Sequence, residues 1–211
     1  MEGNTPQKKK ILKELDRLYP DAYCALTHDN PYQLLIATIL SAQCTDERVN
    51  KVTPELFKKY PDAHSMSKAT LPSIEKIIRS TGFFRSKAKS IKQSSMDIVE
   101  KYNGKVPQSM EELTTLRGVG RKTANVVMGN AFGKNMGVVV DTHVGRLSRR
   151  LGFTTHKDPV KVEKDLMELV PKKDWTKISH QFIFHGRQVC KAINPRCGEC
   201  TMAAFCPNAE L

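Results

Sequence analysis

Leu116-Arg117-Gly118-Val119-Gly120-Arg121-Lys122-Thr123-Ala124 is the stretch on which the reading of this chain turns. Two glycines one residue apart permit a tight turn with positive φ and let a ligand approach the backbone closely. A helix is expected to end before them, and an apolar helix, Asn125 to Phe132, to continue after them. Amides exposed at the start of that second helix form a natural phosphate site. A dinucleotide-binding reading fits poorly, because no strand precedes the glycines and no third glycine stands at the required offset. Two readings stay open at this point. One is a plain helix–helix turn; the other is a hairpin packed through Leu116 and Val119 that offers its backbone to phosphate.

Working outward, the same helical grammar recurs. Asn30-Pro31 reads as an N-cap with proline at the first helical position, opening an apolar helix from Tyr32 to Ala42. Thr45 or Asp46 opens the next, and Thr53-Pro54 another that ends near Tyr60. Ile74, Ile77 and Ile78, and then Ile91, Ser95, Ile98, Val99 and Tyr102, recur at spacings of three and four, the latter before a stop at Asn103-Gly104. Ser109 with Glu112 predicts a capping box. Val144, Leu147 and Leu151 mark one stripe; Val162, Leu166 and Leu169 mark another behind Asp158-Pro159; Asp174 is expected to cap a last helix through about Cys190. Only Val138 to Val140 has strand character, and it is too short for a sheet. The predicted class is all-α.

The 211 residues carry 34 Lys+Arg against 22 Asp+Glu, a net charge of +12, which favours a polyanionic partner. Composition alone does not separate DNA from RNA, from anionic lipid or from a merely basic enzyme. The longest apolar runs are a few residues, and the start MEGNTPQKKKILKELDRLYP lacks the apolar stretch of a signal peptide. No membrane segment is expected; the cytoplasm, or the nucleus of a eukaryote, is the expected compartment.

From Arg117 through Arg150 there are seven Lys+Arg (117, 121, 122, 134, 146, 149, 150) and a single acid, Asp141. Asp141 stands just ahead of the Val144 stripe, where a helix N-cap is a sufficient job for it. Lys122 by itself reads as a solvated surface lysine. Cys190, Cys197, Cys200 and Cys206 have the spacing C-x6-C-x2-C-x5-C. Four thiolates in so short a span can close on one centre, and sulfur ligation suits either zinc or an iron–sulfur cluster. Cys24 and Cys44 are isolated and read as buried small side chains.

Taken together, LRGVGRKTANVV at 116–127 and VVVDTHVGRLSRR at 138–150 resemble the helix-hairpin-helix, glycine-aspartate superfamily of DNA glycosylases, above all its endonuclease III family. The resemblance extends to LLIATILSAQCTDERVNK at 34–51, TGFFRSKA at 81–88 and the cysteine spacing, and so covers nearly the whole chain. It departs at Arg117, where the family usually has proline, and at Phe83-Phe84, where better-known members carry an aliphatic residue and then tyrosine.

The resemblance implies two helical lobes with a DNA-binding cleft between them. A six-helix domain would span 22–133, with the helix-hairpin-helix at about 109–132, and residues 1–21 plus 134–211 would form the iron–sulfur domain. Lys122 becomes the nucleophile and Asp141 its essential partner, in a base-excision-repair glycosylase with abasic-site lyase activity. The four cysteines become ligands of one [4Fe–4S] cluster. Expected partners are double-stranded DNA with oxidised pyrimidines or abasic sites, and the protein is expected to be a monomer. Gln43 and Phe83 are nominated as wedges, although a helix cap and a core phenylalanine are the simpler roles for them. Gly118, Gly120, Arg121, Thr142, His143, Lys191 and Arg196 are the further DNA contacts implied. Alternatives are a sibling glycosylase for photodimers or mismatches, or a non-catalytic DNA-binding iron–sulfur protein; Lys122 argues against an adenine-mismatch enzyme.

Overall fold

A computed structural model describes residues 5–210; among them no strand forms, and the chain is all-α. No helix among the described residues is long and apolar enough to cross a membrane. The chain divides into two compact units, one continuous (Cys24–Lys134) and one that joins residues 5–23 to residues 135–210.

The continuous unit is built around α2 (Pro31–Leu40), every residue of which is buried from Tyr32 onward. An all-round apolar helix belongs in the middle of a bundle. Asn30 caps it by accepting from the Gln33 amide at 3.0 Å. Thr45 caps α3 (Asp46–Lys59), accepting from the Arg48 amide at 3.2 Å. The separate helix expected at Thr53-Pro54 does not form, because Pro54 sits inside α3. Val49, Val52, Thr53 and Leu56 make one buried stripe across it, and their burial outweighs the ~3 kcal/mol that an interior proline costs.

Next come α4 (Ala63–Lys68), capped by Asp62, and α5 (Leu71–Ile78). The long α6 (Phe84–Tyr102) starts well before Ile91, the first residue of its predicted stripe. α7 (Met110–Thr115) begins at Ser109, whose Oγ accepts from the Glu112 amide at 3.2 Å. The Glu112 carboxylate accepts from that same hydroxyl at 2.8 Å, so the expected box reduces to a single cap. α8 (Arg121–Phe132) packs on α2 and α7 and ends at Gly133 with φ 64°.

In the second unit, α1 (Thr5–Leu18), α9 (Thr142–Arg150), α10 (Pro159–Leu169) and α11 (Trp175–Gln188) enclose a core that includes Ile11, Leu15, Leu147, Leu166 and Phe182. Asp158 caps α10 through the Lys161 amide at 3.0 Å. Val138 to Val140 pair with no strand; the Val139 amide donates instead to Ser179 Oγ at 3.1 Å. Asp174 precedes α11 without capping it, since it closes a 3₁₀ turn (Lys172–Asp174), and α11 stops two residues short of Cys190. Asp16 fastens α1 to Lys177 and Gln181, and Gln7 donates to the Phe205 carbonyl.

Candidate active site and metal centre

The glycine turn is a packed hairpin. Leu116 and Val119 are buried, and the Val119 amide closes the turn on the Leu116 carbonyl at 3.1 Å. Gly118 has φ +82°, and Ser94 Oγ donates to the Arg117 carbonyl at 2.7 Å from α6. Gly120 is the N-cap of α8 and brings no side-chain cap; a Cβ there would meet nothing within 4 Å. The first-turn amides of α8 therefore lack intrahelical acceptors and border open space. Arg121 and Lys122 are both exposed in that turn, and Lys122 Nζ has no hydrogen-bond or ion-pair partner among the described residues.

Two further turns of this unit project side chains outward. Phe83 is 70% exposed with φ 46°, which corrects its simpler reading as core. Gly82 at φ 69° and Phe83 turn the backbone left-handed just before α6, and this swings the ring away from the interior. Gln43 is exposed with φ 50° and does not cap α2, whose C-cap is Ser41. The Cys44 amide bonds back to the Ser41 carbonyl at 3.1 Å and closes the turn that carries Gln43. A left-handed non-glycine residue costs about 1–2 kcal/mol. Cys24 and Cys44 are half-buried against the core rather than enclosed in it.

In the other unit Asp141 caps α9: Oδ1 accepts from the Val144 amide at 2.8 Å. Oδ2 carries no hydrogen bond among the described residues, so capping fixes the carboxylate while leaving one oxygen for other use. Thr142 is exposed. His143 Nδ1 lies 3.3 Å from Arg146 Nη2, which also donates to the carbonyls of Gly186 (3.1 Å) and Cys190 (3.0 Å).

Cys190, Cys197, Cys200 and Cys206 line one cavity with Arg150 and His185. Arg150 donates toward Cys190 Sγ at 3.6 Å and holds the Lys191 and Ala192 carbonyls, while His185 Nε2 is 3.7 Å from Cys200 Sγ. Burial pushes the Cys200 and Cys206 thiols up, and the neighbouring cysteines add to the effect. Ligation requires thiolate, so a cationic centre bound among the cysteines would work against that rise. Among the described residues no three His, Cys, Asp or Glu side chains are grouped to hold one ion. An iron–sulfur cluster, which spreads its ligands over several irons, fits this donor set. On the same loop Ile193 is 81% exposed, Lys191 is half-buried and Arg196 is exposed, 3.4 Å from Glu199.

Sequence reasoning missed three supporting residues: Lys87, Arg146 and His185. Lys87 and His185 are buried, each on the apolar face of its helix, and a polar residue in that register was the available signal. Arg146 gave no such signal, because its acceptors are backbone carbonyls far along the chain.

Residues 36–172 match the HhH-GPD superfamily base excision DNA repair protein family, and residues 190–206 match the iron-sulfur binding domain of endonuclease III. Endonuclease III of Synechocystis sp. is 56% identical over 210 residues, covering 100% of this chain and 96% of its own. A non-covalent endonuclease III–DNA complex superposes with TM-score 0.92 at 46% identity, over 98% of this chain and 96% of that one. A trapped endonuclease III–DNA covalent intermediate matches with the same TM-score and identity, over 98% and 97%.

Proposed function

The chain belongs to the endonuclease III family of the HhH-GPD superfamily of base excision DNA repair proteins, and from that premise we propose that Lys122 attacks the sugar of a damaged nucleotide in duplex DNA and carries the strand cut that follows. As a member of that family it is a bifunctional DNA glycosylase and abasic-site lyase with an iron–sulfur domain. The non-catalytic alternative is thereby set aside.

The exposed, unpartnered amine of Lys122, in the first turn of a helix whose N-cap is an open glycine, carries the reading. An amine lone pair forms the bond to C1′, the glycosidic bond breaks, and its electron pair leaves with the base, which takes up a proton. Opening of the sugar ring converts the adduct to a Schiff base. Loss of a C2′ proton then expels the 3′ phosphate, so the strand breaks on the 3′ side of the lesion. Asp141, held by its cap with Oδ2 uncommitted, supports the positive charge that develops on the sugar.

The target base must leave the stack, at a cost of a few kcal/mol that is least for damaged or mispaired bases. Phe83 fills the gap, as apolar wedges do in architectural proteins, with the polar Gln43 as a second wedge. The open backbone at Gly118 and Gly120, with Arg121, grips phosphate without reading sequence; Thr142, His143, Lys191 and Arg196 add further contacts to the duplex. A [4Fe–4S] cluster bound by Cys190, Cys197, Cys200 and Cys206 cross-links its loop and adds binding energy to folding. Oxidised pyrimidines and abasic sites are the substrates, and the protein works as a monomer in the cytoplasm, at the nucleoid if the source is prokaryotic.

Borohydride, which reduces a Schiff base to a stable amine, tests this on a panel of single-lesion duplexes. A covalent adduct is expected with thymine glycol and abasic DNA. It should vanish in Lys122→Gln while binding persists; trapping that survives this change places the nucleophile elsewhere.

A further inference from the structure

Lys87 lies one turn into α6 and is buried, yet no carboxylate pairs with it among the described residues. Its Nζ donates to the Thr81 carbonyl at 2.6 Å. Burial holds its pKa below the ordinary lysine value. An uncompensated buried charge is destabilising, and a position that needed only bulk would be filled better by an apolar side chain. A charged donor here has to achieve something that methionine could not.

The carbonyl it holds indicates what that is. Thr81 stands two residues before Phe83. Gly82 has φ +69° and Phe83 φ +46°, and in a residue other than glycine such backbone persists only where surroundings over-determine it. We propose that Lys87 is a positioning residue that holds the turn of Phe83 in the strained shape from which its side chain projects, ready to enter a duplex. Farther along α6, Ser90 lies against Gly118 and Ser94 holds the Arg117 carbonyl, so one helix sets both the wedge turn and the backbone grip. The inference rests on the wedge reading of Phe83 given above.

The test uses the cluster-loaded protein and a duplex carrying 2-aminopurine beside a tetrahydrofuran abasic analogue, whose fluorescence rises when the neighbouring stack is opened. Lys87→Met should melt close to the parent and bind undamaged duplex with affinity unchanged within about twofold, because the hairpin is intact. Its fluorescence response and single-turnover excision should fall by about tenfold, the scale set by releasing one left-handed residue. Lys87→Gln, which keeps an N–H donor, should retain most of the response, and it carries the comparison if Lys87→Met does not fold. In the Phe83→Ala background the Lys87 change should add little, since coupled residues are non-additive. Multiplying effects, or a loss of undamaged binding, melting temperature and fluorescence in proportion, would overturn the positioning role. If Phe83→Ala alone leaves the fluorescence response intact, the wedge reading fails first, independently of Lys87.

Discussion

The Cβ that Gly118 lacks would stand 2.9 Å from the Cβ of Ser90, whereas a Cβ at Gly120 would meet nothing within 4 Å. The fold therefore constrains the two glycines of one turn differently. Gly118 is needed by the protein itself, through its positive φ and its contact with α6. At Gly120 the fold itself leaves room for a side chain. Gly118→Ala should destabilise by about 2–3 kcal/mol, lowering Tm by roughly 5–10 °C. Gly120→Ala should keep Tm within about 3 °C and weaken damaged and undamaged duplexes alike. Calorimetry and binding on the two proteins check the split; a selective loss for one lesion would contradict a sequence-blind grip.

Asp141 caps α9, and Asn caps about as well as Asp. Asp141→Asn should therefore fold normally and melt like the parent. If the carboxylate acts on the sugar, turnover should nonetheless fall by about a hundredfold or more. Single-turnover excision on a thymine glycol duplex checks this, and full activity in Asp141→Asn would reduce the residue to its cap.

The thiol cavity makes a compositional prediction. Protein purified anaerobically should be brown and carry about four irons per chain. Cys197→Ser should lose the colour and loosen the second unit, because ligation there is part of folding, whereas Cys24→Ala should leave the iron content unchanged. Iron analysis with the visible spectrum decides it; stoichiometric zinc without iron would contradict the assignment.

Acid should act on the attachment of α1. The Arg17 guanidinium and the Thr201 hydroxyl hold the Glu14 carboxyl down at about 2, against 4.5 ordinarily. Because the folded value is the lower one, the unfolded chain takes up the proton first as pH falls. The stabilisation is complete above pH 4.5 and is lost as pH drops toward 2. The Arg17 side of the pair is exposed to solvent, so the Tm gap between the parent and Glu14→Gln should reach at most about 3 °C at neutral pH. It should close progressively through the acid range; a gap independent of pH would refute the assignment.

Helix caps were the most legible feature of the sequence, since Asn30, Thr45 and Asp158 each announce themselves by residue type and offset and each accepts the expected amide. The hairpin was legible for a related reason, because only glycine serves at φ +82°. What escaped was decided by tertiary context. α4 has six residues, too few for a period to show, and Pro54 is overridden by a stripe that spans it. The outward swing of Phe83 depends on two backbone angles and on a lysine one turn away, none of which hydropathy records.

One unit of this molecule is contiguous in the chain, while the other takes its first helix from the N-terminus and the remainder from beyond residue 134. On a ribosome this dictates an order of assembly. Cys24–Lys134 has all its own parts as soon as it emerges. α1 emerges earlier, yet its partners α11 and the loop through Cys206 come last. At about 5–20 residues per second that is a wait of roughly 10–40 s, with Ile11 and Leu15 lacking their core throughout. The second unit therefore closes only once the cysteine loop has been released.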